Sequence, residues 1–476
     1  MTLRRPYAPM ASTIQGRSLG AIDRVTLGAL EAELKDLNLR GLEQDPRLSG
    51  AQRAAVQQAT GNQNGVLFDE AKPTPGWQRN VVAQYGQAAA GVGLSRRDEE
   101  RFIQDVMGAL EARWGQPISN LPIDAVPKRG LEMLIRKASQ LRRLGLEPSQ
   151  VTDVVLKASG AVHGVATKPQ RIFAQRFRPS ADKDLGKVVV LSPGFQETGR
   201  SFEAQIGEML DRGYNVLAMD HQWSGHSDGE AGSFDRAEGL ARNVAATCAY
   251  AQGIVEQEYG AKEGAEALLF GNSMGGMAAL FAKAMNDHGQ VELGPVTATE
   301  GADGAQPVHG QMPRGMKLML QAPFLGLSDG LLNKALAFSG RIPMINSLKL
   351  PSNGIAPKIS SDRDVAVYNA QQGLLEHIKA SPVAMHRGLE GIETLNAFMQ
   401  DHVPEGDVAI YHQRGDTLAK HSESQKFADY LKARRGAAGV EMHSAEGVDH
   451  VVQNDPDVFK DPLAVLDRLA QGRTGR

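Results

Sequence analysis

The sequence predicts an α/β domain, a largely parallel sheet with helices on both faces, preceded by a helical N-terminal region. Two observations carry this. Up to about residue 160 the apolar residues recur at helical spacing, whereas from about Gly164 short apolar runs alternate with helical segments. Strands and helices in alternation form a parallel sheet covered on both sides. Size agrees, since a chain of 476 residues buries a large core without covalent staples. The expected division is 1–160, a helical region of unknown role, and 161–476, the α/β domain.

In the first region Leu19, Ile22, Leu30, Leu34 and Leu37 keep to one side of a 3.6-residue period. Ser95 and Asp98 read as a capping box ahead of Phe102, Val106, Leu110 and Trp114. Leu131, Leu134, Ile135, Ala138 and Leu141 form a third stripe before Gly145. These stripes read as a helical core. Beyond Gly164 the strand-like runs are 187–191, 215–219, 267–270, 317–320, 408–411 and 440–443, with 171–177 adding a strand at the start. Helical segments at 202–212, 239–259 and 422–434 separate them, and 296–315 reads as an exposed loop.

The 52 Lys+Arg against 55 Asp+Glu leave a net charge of −3, without the basic excess of a nucleic-acid protein. Arg4 and Arg5 are not followed by an apolar stretch, so no conventional secretory signal is expected. No run approaches the ~20 apolar residues that span a bilayer. A cytoplasmic protein is expected, with export by a route that leaves no signal peptide as the alternative. Cys248, the single cysteine, excludes an intramolecular disulfide and a cysteine-based zinc site. There is no H-E-x-x-H pair and no phosphate-binding glycine pattern between a strand and a helix, so neither a metal nor a cofactor is expected.

The chemistry candidate is G-x-S-x-G, which occurs four times, centred on Ser18, Ser227, Ser273 and Ser328. A nucleophile elbow needs a buried strand ending at the turn and a helix starting directly after it. Ser273 alone satisfies both, between Ala267-Leu268-Leu269-Phe270 and Met277-Ala278-Ala279-Leu280-Phe281. Ser18 has no strand before it, Ser227 follows a polar loop, and Pro323 separates Ser328 from its strand. A serine hydroxyl needs a base and an orienting carboxylate. Asp416 lies just past the run at 408–411 and His450 past the run at 440–443, giving the order Ser, Asp, His. His443 and His421 are weaker substitutes for the base. The backbone N–H of Met274 is the expected first oxyanion donor.

These blocks resemble the α/β-hydrolases of the serine aminopeptidase-like group, which includes monoacylglycerol lipases and lysophospholipases, over about residues 164–471. Val188-Val189-Val190-Leu191-Ser192-Pro193-Gly194-Phe195 is similar to the family's strand and oxyanion loop. The run from Asp220 to Gly229 is similar to its D-x-R-G-x-G-x-S-x-G loop, which makes Ser227 structural, and 271–276 to its G-H-S-M-G-G elbow. Gly415-Asp416 and the run from Gly447 to His450 match its acid and histidine blocks. The departures are Pro193 for the usual His, Asn272 for the usual His, and Gln222-Trp223 for Arg-Gly. None of these positions supplies triad chemistry.

The resemblance implies an α/β-hydrolase fold with an inserted cap at about 325–400, and the Phe195 N–H as second oxyanion donor. Gln196 and Glu197 either extend the hydrogen bonding there or are ordinary polar loop residues. The cap segment is apolar, with Leu331, Leu336 and Phe338 among its members. An apolar cap suits a fatty-acyl chain better than a charged peptide. The expectation is a serine carboxylester hydrolase acting on a small-molecule, lipid-like acyl ester such as a monoacylglycerol or lysophospholipid, with no nucleic-acid partner. The alternatives are acyl transfer or peptide hydrolysis by the same triad, and a non-catalytic ligand-binding or scaffold role. Protein or membrane contact through the N-terminal helices is a further possibility.

Overall fold

The computed structural model describes residues 144–146; 150–326 apart from 196, 223–226, 228–233, 235, 261, 301–305 and 309; 350–351; 379–380; and 382–474 apart from 448–449, 451 and 454–457. The expected N-terminal helices, Ser18, Ser328 and the cap residues Leu331, Leu336 and Phe338 lie outside the described residues. The chain divides between Ser149 and Gln150, and the second unit carries the sheet.

Eleven strands are joined in one sheet among the described residues. Strands β1 (Val151–Val162), β2 (Val165–Phe177), β3 (Lys187–Ser192), β4 (Asn215–Met219) and β5 (Glu266–Asn272) come first in the chain. They are followed by β6 (Val291–Leu293), β7 (Thr297–Glu300), β8 (Gln306–Pro307) and β9 (Leu318–Gln321). Strands β10 (Leu350–Pro351) and β11 (Lys379–Ala380) pair apart from the sheet, which closes with β12 (Val408–Gln413) and β13 (Val440–Ala445). The spatial order is β13-β12-β9-β5-β3-β4-β2-β1-β7-β8, with β6 beside β1. From β4 to β13 all neighbours are parallel. Strand β2 pairs antiparallel with β4, and the strands beyond it continue antiparallel.

The parallel strands read as continuous apolar runs because both of their faces are covered. Val188, Val190, Leu269, Leu318, Leu320 and Ile410 share one buried cluster with helices α2 (Ala237–Tyr259), α3 (Ser273–Asp287) and α5 (His421–Arg435). The alternate residues Val189, Leu191, Leu268 and Phe270 are as deeply buried. Helices α1 (Glu203–Asp211) and α6 (Asp461–Ala470) pack on β4 and on β9 and β12 respectively. Each such buried aliphatic or aromatic side chain contributes about 1.5–3 kcal/mol. Helix α4 (Pro382–Met399) packs on α2 and α3. Among the described residues no helix is long and apolar enough to cross a membrane.

Two expectations change. The sheet begins at Val151, inside the part assigned to the helical region, because Val151, Val154, Leu156, Ala158 and Val162 are buried while polar residues between them remain partly open. Strands β1 and β2 form a hairpin whose two-residue turn, His163-Gly164, has φ of 52° and 71°. Turns with two left-handed residues match strand twist. The segment at 296–315 is in part sheet edge rather than loop: β7 and β8 lie in it, and Val296, Ala298 and Met312 are buried.

Candidate active site

The site lies at the C-terminal ends of the central parallel strands. Strand β5 is buried throughout from Ala267 and ends at Asn272; α3 starts at Ser273 without an intervening loop. Ser273 has φ of 50°, a left-handed conformation that costs a non-glycine residue energy and is stored at functional turns. The two flanking glycines are required by space. A Cβ on Gly271 would lie 2.7 Å from Gly276 Cα, and one on Gly275 would lie 2.2 Å from the Pro193 carbonyl oxygen. Residues after β9 brace the same turn, with the Phe324 N–H donating to the Ser273 carbonyl at 2.9 Å.

Ser273 Oγ is 2.7 Å from His450 Nε2, and His450 Nδ1 is 2.7 Å from Asp416 Oδ2. All three residues are at least nine-tenths buried. Asp416 follows β12, and its Oδ1 accepts the backbone N–H groups of Leu418 and Ala419 at 2.8 and 2.9 Å. The histidine loop is zipped to the acid loop, since the Arg414 N–H donates to Ala445 O and the Gly415 N–H to Gly447 O. Gly447 has φ of 139°, and a Cβ there would lie 2.2 Å from Gln413 Oε1.

Burial opposes the charge on Asp416, but the charge of His450 and hydrogen bonds from two imidazoles outweigh it and hold the carboxyl well below the usual range. Burial likewise works against protonated His450, but the Asp416 charge and hydrogen bond, with a contribution from Glu197, raise its pKa above the ordinary histidine value. An imidazole held between a carboxylate and a serine hydroxyl is an arrangement that can act as a base toward that hydroxyl.

The second imidazole on Asp416 is His412, absent from the sequence-based site. Its Nε2–H donates to Asp416 Oδ2 at 3.0 Å, and its Nδ1 accepts from Ser424 Oγ at 2.8 Å. It sits on the fully buried strand β12, so nothing but an unusual histidine in an apolar run could have signalled it. The substitutes considered for the base are elsewhere. His443 is exposed and stacked on Tyr411, and His421 pairs with Ser444 Oγ. Ser227 accepts from the Phe173 N–H and donates to the Asp220 carbonyl, bracing its loop against β2. Cys248 is buried in α2.

Of the expected oxyanion donors, Met274 opens α3 beside the nucleophile. Phe195 stands in a turn closed by the Glu197 N–H on the Gly194 carbonyl at 3.2 Å. A Cβ on Gly194 would lie 3.0 Å from Ser273 Cβ, so this turn runs directly past the serine. The Gly194 N–H is engaged by Glu197 Oε2 at 2.7 Å. Glu197, which the sequence left as either an extension of the hydrogen bonding or an ordinary loop residue, belongs to a buried polar group with Asn272, Gln321, Gln453 and Gln205, the last three of them not named from the sequence. Asn272, the departure before the nucleophile, donates to Glu197 Oε2 at 2.8 Å and accepts from Gln321 Nε2 at 3.0 Å.

A mixed sheet of this order with a strained serine between β5 and α3 defines an α/β-hydrolase of the serine-hydrolase class. Residues 183–457 match the model of the serine aminopeptidase S33 family, more than half of the chain, and the protein belongs to that family. No curated protein matches it. Among solved structures, the monoacylglycerol lipase of Paleococcus ferrophilus is similar over 63% of this chain and 99% of its own, at 17% identity and a TM-score of 0.45. A soluble variant of the monoglyceride lipase of Saccharomyces cerevisiae, in complex with a substrate analogue, is similar over 67% and 96%, at 14% identity and a TM-score of 0.49. A highly thermostable carboxyl esterase from Bacillus coagulans, in complex with glycerol, is similar over 67% and 99%, at 14% identity and a TM-score of 0.46.

Proposed function

We propose that the protein hydrolyses carboxylic esters with lipid-like acyl groups, through a covalent acyl-enzyme on Ser273. The observation that supports this most is the unbroken relay of two 2.7 Å contacts from Ser273 through His450 to Asp416. Ser273 Oγ attacks the acyl carbonyl as His450 Nε2 takes its proton. The N–H groups of Met274 and Phe195 hold the oxyanion, and each such donor is worth about 10²–10³ in kcat. The tetrahedral species collapses, the leaving alcohol takes the proton from His450, and the acyl group stays on Ser273. Water then attacks with His450 as base, releasing the acid and restoring the serine.

The lipid-like substrate is supported by an apolar run in the sequence and by apolar side chains beside the elbow. Leu331, Leu336 and Phe338 belong to an apolar run. Beside the elbow, Met274 Cε and Phe324 Cε1 lie 3.4 Å from where a Cβ on Gly388 of α4 would stand, with Phe234 Cζ at 4.0 Å. Apolar side chains packed next to the elbow favour an alkyl chain over a charged peptide end.

The test is hydrolysis of p-nitrophenyl esters from acetate to palmitate beside aminoacyl p-nitroanilides. Turnover of esters is expected to peak at medium or long chains. A preference for acetate keeps the mechanism and removes the lipid reading, and turnover of anilides alone replaces it with a peptidase. The same assay carries a pH prediction. Only neutral His450 accepts a proton, and its pKa is raised. Therefore kcat/KM rises with pH through a midpoint above about 6.5. Asp416 stays ionised throughout that range. A midpoint below the ordinary histidine value contradicts the assignment of His450.

A further inference from the structure

The oxyanion turn, the nucleophile elbow and the histidine loop come from chain segments separated by scores of residues, yet one buried carboxylate touches all three. Glu197 Oε2 accepts the Gly194 N–H at 2.7 Å and Asn272 Nδ2 at 2.8 Å, and Oε1 accepts Gln453 Nε2. Gly194 precedes the expected donor Phe195, Asn272 precedes the nucleophile, and Gln453 lies three residues past His450. The partners are themselves fixed. Gln321 Nε2 donates to Asn272 Oδ1 at 3.0 Å and to Gln453 Oε1 at 3.1 Å, while Gln205 Nε2 donates to Gln321 Oε1 at 2.9 Å.

We infer that Glu197 is a positioning residue of the hydrolytic site: its carboxylate clamps the oxyanion turn to the elbow and the histidine loop, and its negative charge supports the protonated state of His450. This inference rests on the proposed Ser273–His450–Asp416 chemistry. Three observations carry it. All three contacts on the carboxylate are donors, which a charged group with two acceptor oxygens satisfies and a neutral amide does not. The site is buried, with Glu197 8% exposed and Asn272, Gln321 and Gln453 fully buried, so a charge there acts on His450 with little screening. Without it the buried side-chain N–H groups of Asn272 and Gln453 would lose the acceptor they have here, although both amide oxygens would keep Gln321.

Burial holds the Glu197 carboxyl above the ordinary glutamate range, although Asn272, Gly194, the His450 charge and Gln453 work against that rise. Other titratable groups stand around the pair. Asp416 and His412 lie beyond His450, Asp220 takes the Gly199 N–H, and His221 pairs with Ser192 Oγ beside the oxyanion turn. Of these, Asp416 and Glu197 favour the charged imidazole.

The test is the rate of Ser273 labelling by an alkyl fluorophosphonate, followed by mass spectrometry across pH, which needs no knowledge of the substrate. In Glu197→Gln the plateau rate is expected to fall about ten-fold or more, because the oxyanion turn loses its tie. The midpoint should also move to lower pH by about half a unit or more, because a charge favouring imidazolium is gone. Glu197→Asp keeps the charge but shortens the reach, so it should label slowly with the wild-type midpoint. A residue of merely structural value would make the two variants alike. Wild-type plateau and midpoint in folded Glu197→Gln overturn the inference. Should that variant not fold, Gln453→Met, which removes one donor, must slow labelling several-fold; wild-type labelling there also overturns it. Wild-type protein that is not labelled at Ser273 overturns the hydrolase reading itself, and this one with it.

Discussion

Replacing Ser273 with alanine is expected to lower ester turnover by about 10⁴-fold or more while the protein stays folded. The side chain lost is the proposed nucleophile, and removal of such a group eliminates the covalent route rather than weakening it. KM should change little, because the hydroxyl contributes to the transition state and not to holding the acyl chain. Stability should hold or rise. Alanine adds no bulk where Ser273 is 8% exposed, although the φ of 50° remains uncomfortable for any residue with a Cβ. His450→Ala should cost about as much as Ser273→Ala, and the double variant hardly more than either alone, since residues that act as a unit are non-additive. Steady-state kinetics on the purified variants check this. Additive losses would contradict a shared role.

Lys283→Met is expected to destabilise the protein by about 3 kcal/mol or more. Lys283 is fully buried in α3, the helix that begins at Ser273, and its Nζ lies 3.0 Å from Asp287 Oδ2 one turn on. Burial depresses the Lys283 pKa, and the Asp287 charge works against that depression. The Asp287 carboxylate also accepts the Gly315 and Glu405 N–H groups, each at 2.8 Å, and so anchors the approach to β9 and the approach to β12. Removing one partner of a buried pair leaves the other charge uncompensated, the costliest outcome for such a pair. Adding Asp287→Asn to Lys283→Met should therefore recover part of the loss, since the uncompensated charge goes, although the amide keeps only one of the two backbone N–H bonds. Urea unfolding of the wild type and the variants reads both numbers. A double variant no more stable than Lys283→Met would assign the cost to packing instead of charge.

The parts of the fold legible in the sequence were those with a strong local signal. Strand β5, its turn and α3 are written as one uninterrupted block of apolar residues, G-N-S-M-G and apolar residues again, and the structure runs through it without a break. Helix α2 was expected from residue 239 and starts at Ala237. What the sequence concealed depended on partners far away in the chain. The first strand, β1, alternates buried and open positions across residues that also permit a helix, and only its pairing with β2 decides the matter. The short β7 and β8 lie among Gly, Ala and polar residues and owe their place to the edge of β1.

The site divides in the same way. Ser273, Asp416 and His450, which the structure brings into contact, could be named as candidates because each stands at the end of a recognisable strand in a fixed order. His412 could not, and Glu197 could be named only as a loop residue that either extends the hydrogen bonding or does nothing special. A histidine within an apolar strand and a glutamate in a polar loop carry no mark of their burial, which arises only when Asp416 and Asn272 are brought to them. The substitution of Asn272 for the histidine usual before the nucleophile gains its physical reason here. The amide can donate to Glu197 with one end while accepting from Gln321 with the other.

The most direct measurement is mass spectrometry of the protein quenched in acid during turnover of a slowly hydrolysed p-nitrophenyl ester. A mass increase equal to the acyl group, located in the peptide that contains Ser273 and absent from Ser273→Ala, is the predicted result. Rapid turnover with the acyl group on another residue, or an adduct that persists in Ser273→Ala, would contradict it.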